Sequence, residues 1–85
     1  LISKNIDWLP VGLQISGDLW LNNAKITELP NGLKILRNLF LSDTSITELP
    51  NDLQVTDTIW ARSHQKKLIT FMQNSIFKDK LNVWH

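Results

Sequence analysis

Apolar and polar positions in this chain alternate in short bursts instead of following the period of a helix. "GDLWLNN" (17–23), "RNLFLSD" (37–43) and "DTIWARS" (57–63) are the clearest of them. Leu19, Leu39 and Ile59 occupy one column, and Leu21, Leu41 and Ala61 a second. Side chains at i and i+2 of an extended segment share a face. Each burst therefore predicts a short strand with both columns turned inward. A shorter alternating piece precedes each of the last two bursts. In "LKI" (33–35) and "LQV" (53–55), Leu33/Ile35 and Leu53/Val55 lie on one face.

The bursts recur because the sequence itself repeats. "LPVGLQISGDLWLNNAKITE" (9–28) is followed by "LPNGLKILRNLFLSDTSITE" (29–48) and then by "LPNDLQVTDTIWARSHQ" (49–65). The period is 20 residues without gaps. Leu1 falls in the column of Leu21 and Leu41, and Ile6 in that of Ile26 and Ile46. The expectation is that the chain begins in mid-repeat and that N-terminal sequence is missing. Proline cannot donate to a strand ladder, so Leu-Pro at 29–30 and 49–50 ends the preceding segment. "PNG" and "PND" are turn chemistry, with Gly12, Gly32 or Asp52 able to accept a left-handed backbone. Two strand-like pieces fill each repeat and leave no room for a full helix.

At this point the sequence resembles the leucine-rich repeat family. The pattern L-x-L-x-x-x-x-I-x-x-L-P-x-x-L runs from Leu19 to Leu33 and again from Leu39 to Leu53. It is most similar to the Leu-Pro repeats of bacterial effector and phage-encoded proteins. The resemblance covers residues 1–65 and implies an α/β repeat solenoid: leucine-rich-repeat-like stacked coils with short strands, about three repeats, closed by a C-terminal capping helix. Leucine-rich repeats usually carry Asn in the loop after the second strand leucine. This chain has Ala24, Thr44 and His64 there, which leaves a flatter, two-stranded β-solenoid as the alternative. The effectors that share these repeats often add a ubiquitin-ligase domain with a catalytic cysteine; these 85 residues contain no cysteine, and such a domain is not expected within them.

From Gln65 the repeat dissolves. Leu68, Ile69, Met72 and Ile76 are spaced as one helical face, flanked by Phe71, Phe77 and Leu81. This predicts a helix from about Gln65 to Lys78, capped by Ser63 or His64, with residues 66–85 serving as a helical cap on the end of the repeats. A basic amphipathic helix that binds nucleic acid, a membrane surface or a partner groove is the alternative.

The net charge of +1 conceals an asymmetry. Residues 1–60 carry Lys4, Lys25, Lys34 and Arg37 against seven carboxylates, a net −3. Residues 61–85 carry Arg62, Lys66, Lys67, Lys78 and Lys80 against Asp79, a net +4. Eighty-five residues allow one domain. The chain has no apolar run long enough to span a membrane and no basic-then-apolar leader pattern. Without cysteine, disulfides, thiolate metal sites and thiol catalysis are excluded, while the compartment stays open.

Little in the sequence points to chemistry. Glu28 and Glu48 share a column, but each precedes Leu-Pro in a turn and reads as a solvated carboxylate. His64 and His85 are the only histidines. His64 stands at the join of repeat and tail with no Cys, Asp or Glu at ligand spacing, which favours a packed or hydrogen-bonded role over metal binding. Gly12, Gly17 and Gly32 are scattered turn glycines, and no serine sits in a nucleophile elbow. We expect no enzyme activity, no cofactor, no metal and no small-molecule substrate.

One column remains. Trp20, Phe40 and Trp60 recur where alternation turns the side chain outward. Asp18, Asn38 and Thr58 flank them on one side, and Asn22, Ser42 and Arg62 on the other. An aromatic stripe with a polar rim has the composition of an interface core. In leucine-rich repeats the strand-lined face is where ligands usually dock, so the resemblance points to the same surface. The expected partner-binding set is Trp20, Phe40, Trp60, Asp18, Asn38, Asn22, Ser42 and Arg62. The expected function is a protein–protein interaction module, within a larger bacterial or phage protein or assembly, that binds a protein partner or a second copy. The alternatives are nucleic-acid binding through the basic tail and the tryptophans, and a purely structural spacer. In that last reading the aromatics only stabilise the sheet by cross-strand contact, or are covered by the tail.

Overall fold

The computed structural model describes residues 6–84. The expectations drawn from Leu1 and His85 lie outside them. Among the described residues seven strands form in chain order: β1 (Gln14–Ile15), β2 (Leu19–Trp20), β3 (Lys34–Ile35), β4 (Leu39–Phe40), β5 (Gln54–Val55), β6 (Ile59–Arg62) and β7 (Leu81–Trp84). Between β6 and β7 lie the helix α1 (Lys66–Gln73) and a 3-10 turn (Lys78–Lys80).

The strands make two small parallel sheets. One has three strands in the order β1-β3-β5, and the other four in the order β2-β4-β6-β7. Pairing follows the sequence period. Ile15 lies opposite Ile35 and Ile35 opposite Val55; Leu19 lies opposite Leu39 and Leu39 opposite Ile59. Backbone bonds such as Leu21 N–H to the Phe40 carbonyl (3.0 Å) and Leu41 N–H to the Trp60 carbonyl (2.9 Å) carry the second sheet. Leu19, Leu21, Ile26, Leu33, Ile35, Leu39, Leu41, Ile46 and Ile59 fill the space between the sheets, with Leu29 and Leu49 beside them. The column of Leu13, Leu33 and Leu53 is buried at Leu33 and Leu53 and only partly at Leu13.

The fold class expected from the repeat is thereby corrected. The architecture is two small parallel sheets with one helix, not the α/β leucine-rich-repeat-like solenoid ended by a capping helix. Each repeat supplies one strand to each sheet, and the tail adds a strand to one of them alone. After α1 the chain returns to the second sheet and adds β7 parallel to β6, with Ile59 opposite Leu81 and Arg62 opposite Trp84. A strand, not only a helix, therefore covers the open edge of that sheet, and the Ser63 N–H donates to the Trp84 carbonyl at 2.7 Å.

The helix is also shorter than the apolar spacing predicts. Gln65, not Ser63 or His64, holds the N-cap position, and its side chain makes no capping bond. At the other end the Ser75 hydroxyl donates to the Met72 carbonyl at 2.9 Å and accepts the Phe77 N–H at 3.1 Å. That turn satisfies backbone groups a longer helix would have paired. Leu68 and Met72 are buried and Ile69 partly so, but Ile76 lies past the turn and is 75% exposed; Phe77 is buried in its place.

The turns divide by residue chemistry. Gly12 and Gly32 adopt φ of 77° and 73°, and Asn23 and Asp43 adopt 63° and 62°. Gly, Asn and Asp are the residues that tolerate this region best. A Cβ on Gly32 would lie 3.4 Å from the Gly12 Cα, so adjacent turns pack backbone to backbone. Asp52, in the same column, is not among the left-handed residues, although the Pro50 carbonyl still accepts the Leu53 N–H at 3.1 Å.

Candidate functional site

The outer face of the four-stranded sheet is the candidate site. Leu19 and Leu21 are fully buried on the inner side, and Trp20 between them is half-buried on the outer side; Ile59, Trp60 and Ala61 repeat the arrangement. Trp20 and Phe40 stack with ring centroids 3.7 Å apart and planes 6° from parallel. Phe40 and Trp60 are also nearly parallel, at 6.2 Å and 7°. Phe40, enclosed from both sides, keeps only 7% of its surface. Trp84 lies outside the repeat period. It meets Trp60 edge-on, 5.4 Å away at 81°, and continues the aromatic surface onto β7.

This orientation fixes what the column offers. Rings stacked face to face along the sheet spend their π faces on each other. They turn their edges to the outside, and an aromatic edge carries partial positive charge.

The flanking residues play unequal parts. The Asp18 Oδ1 accepts both the Asn38 backbone N–H (2.9 Å) and its side-chain amide (3.2 Å), and the Asn38 Oδ1 accepts the Thr58 N–H (3.2 Å). Asp18 and Asn38 thus stitch adjacent strands, a structural duty beside any contact role. On the other flank, Asn22 and Arg62 are half-buried and Ser42 is buried. The Asn22 Oδ1 and the Ser42 Oγ are buried without a hydrogen-bond partner among the described residues. The Arg62 Nε lies 3.8 Å from the Asp43 Oδ2.

The residue that organises this end of the sheet is Gln65. Its Oε1 accepts the N–H of Arg62 (2.8 Å) and of Asp43 (3.1 Å), and its Nε2 donates to the carbonyls of Leu41 (2.9 Å) and Thr44 (3.2 Å). All four hydrogen-bonding positions of the amide are filled. One repeat earlier, the Asn23 N–H donates to the Ser42 carbonyl. The equivalent carbonyl for Asp43 would be that of Arg62, which accepts the Gln65 N–H instead. A side-chain amide thus replaces a backbone carbonyl where the repeat ends. No sequence signal marks it, because Lys25 and Ser45, the residues of its column, are exposed.

His64 also finds a partner that sequence spacing did not provide. Its Nε2 lies 2.6 Å from the Asp43 Oδ1 on the exposed rim. Among the described residues no group of three His, Cys, Asp or Glu side chains could hold a metal ion. Glu28 and Glu48 are both exposed. No helix among the described residues is long and apolar enough to cross a membrane.

No protein-family model matches this chain, and no curated protein and no solved structure matches it. The resemblance to the leucine-rich repeat family therefore rests on the residues quoted for it.

Proposed function

We propose that this protein is a protein–protein interaction module whose docking surface is the outer face of the four-stranded sheet. The observation that carries this reading is the aromatic row itself. The inward leucines already fill the core, yet the opposite face presents Trp20, Phe40, Trp60 and Trp84 in continuous contact. Binding energy concentrates in such aromatics when a partner encloses them. Half-buried Trp20 and Trp60 on either side of the enclosed Phe40, framed by Asn22, Asn38 and Arg62, have the anatomy of an interface centre with a polar rim.

The ring geometry disfavours the nucleic-acid alternative. Stacking a base needs a free π face, and the mutually facing sides of Trp20, Phe40 and Trp60 are occupied. Two cations of that alternative are also engaged, Arg62 with Asp43 and the Lys80 Nζ with the Thr56 carbonyl.

The test replaces Trp60 by Ser and compares it with Lys34→Thr on the other sheet. Self-association is read by sedimentation and partner capture by pull-down. Trp60→Ser loses two ring contacts, with Phe40 and with Trp84, at about 0.5–1.5 kcal/mol each, so the folded fraction of each variant is measured beside its association. The expected outcome is loss of association for Trp60→Ser and none for Lys34→Thr. Equal association of both variants, or a loss that tracks only the unfolded fraction, makes the row structural and defeats the reading.

A further inference from the structure

A groove of about 460 Å³ separates the loop 43–47 from the start of α1. Its charge is unbalanced. Asp43 is the only carboxylate lining it, and both its oxygens are engaged, one with His64 at 2.6 Å and one with Arg62 at 3.8 Å. On the opposite wall Lys66 and Lys67 are exposed and form no ion pair among the described residues. The acidic body and the basic tail meet here, and the excess in the groove is cationic.

The neutral donors point the same way. The Thr44 hydroxyl donates to the Leu41 carbonyl, and the Gln65 amide is fully used. The hydroxyls of Ser45 and Thr47, both exposed, make no hydrogen bond among the described residues. Buried Ile46 and Leu68 form an apolar floor. The groove therefore offers two free ammonium groups and two free hydroxyls, while its only carboxylate is already neutralised. A ligand that complements this set carries several acceptor oxygens and a charge near −2. A phosphate monoester dianion does so, with three terminal oxygens to share among ammonium and hydroxyl donors.

We propose that this groove binds a phosphate monoester, through Lys66, Lys67, Ser45 and Thr47. The groove lies beside the aromatic docking face and touches it through the Asp43–Arg62 pair. The ester belongs either to a phosphorylated side chain of another protein or to a small phosphorylated metabolite, and the same chemistry recognises both.

The experiment is an amide NMR titration of the full chain at constant ionic strength, with sodium chloride as the matched control. Three probes are used: inorganic phosphate, a short phosphoserine peptide beside its unphosphorylated form, and oligothymidylate. The expected result is saturable shifts with phosphate, confined to residues 44–47 and 64–68. A phosphopeptide that binds more tightly than phosphate, while its unphosphorylated form does not bind, identifies a protein source; equal affinity identifies a small ester. In the double variant Lys66→Gln/Lys67→Gln both affinities should fall about fivefold or more, with unchanged dispersion of the amide spectrum. Lys78→Gln should change neither. Shifts that match the chloride control, or an unchanged affinity in the double variant, overturn the proposal. So does tighter binding of oligothymidylate spread over Lys78 and Lys80, which would make the tail a nucleic-acid surface.

Discussion

The two sheets are built from the same repeat, at the same spacing and in the same parallel register, yet they treat their outer faces differently. The three-stranded sheet turns Gln14, Lys34 and Gln54 outward, all exposed, over Ile15, Ile35 and Val55. The four-stranded sheet turns Trp20, Phe40 and Trp60 outward over Leu19, Leu39 and Ile59. A solvated polar row is all that a sheet with one buried face requires. The first sheet shows that this repeat folds with such a row, so the half-buried tryptophans of the second, unlike the enclosed Phe40, exceed what folding demands. The tail sharpens the contrast. It adds β7 and Trp84 to the aromatic sheet, while β5 has only β3 beside it.

The largest expected effect breaks the contrast at its centre. Phe40→Thr places in the aromatic row a residue type suited to the other sheet. Phe40 is buried between Trp20 and Trp60, and removing a buried Phe costs about 3–5 kcal/mol. With about 1 kcal/mol shifting Tm by 4–8 °C in a domain of this size, thermal denaturation should show a loss above 12 °C. A loss under 4 °C would mean that the stack contributes little to the fold.

Next comes the junction. Gln65→Ala removes four hydrogen bonds and leaves the N–H groups of Asp43 and Arg62 and the Thr44 carbonyl to find water, while the Leu41 carbonyl keeps the Thr44 hydroxyl. Stranded buried polar groups cost about 1–3 kcal/mol each. Because the loop lies near the surface and water can reach part of it, a total of about 2 kcal/mol is expected by urea denaturation. Hydrogen exchange should rise at Asp43 and Arg62 and stay unchanged at Gln54 and Thr56 in the first sheet.

These two sites differ in how far they could be read from the sequence. The twenty-residue offset is legible as the pairing register of both sheets, because parallel neighbours align like with like: Leu19 with Leu39, Phe40 with Trp60. The columns that face inward follow from alternation for the same reason. What repetition cannot convey is how it ends. "LNVW" alternates like a strand, but it lies outside the period, so nothing in the sequence pairs Leu81 with Ile59. Apolar spacing carries the expected helix through Ile76, whereas Ser75 closes the turn through its own hydroxyl. Gln65 and Trp84 have one trait in common. Each acts through a tertiary partner more than twenty residues away, and no local pattern records such a partner.

A smaller effect follows from Trp84, which joins the tail to the aromatic row. Trp84→Ala removes the edge-on contact with Trp60, and such pairs contribute about 0.5–1.5 kcal/mol beyond the area they bury. Trp84 is 38% exposed, which keeps the burial part modest. The near-ultraviolet circular dichroism of the coupled indoles should fall, with a Tm loss of about 4–8 °C. If the dichroism is unchanged, β7 does not hold Trp84 against Trp60 in solution, and the two sheets are more alike than the geometry indicates.

The smallest effect tests the other half of the comparison. Lys34 occupies on the three-stranded sheet the outward central position that Phe40 occupies on the four-stranded one. It is exposed, has no ion pair among the described residues, and lies between Gln14 and Gln54. Lys34→Thr removes one charge and introduces a β-branched residue that suits a pleated surface. Exposed changes of this kind stay within about 0.5 kcal/mol, and the better strand former should offset the lost stem packing. Thermal denaturation of this variant should therefore lie within about 4 °C of the parent. Set beside Phe40→Thr, it holds the new residue, the central strand position and the sheet direction constant, and it varies the face together with the residue that face carries. If Lys34→Thr instead cost as much as Phe40→Thr, the two outer rows would be equally structural. The aromatic row would then need no partner to account for it.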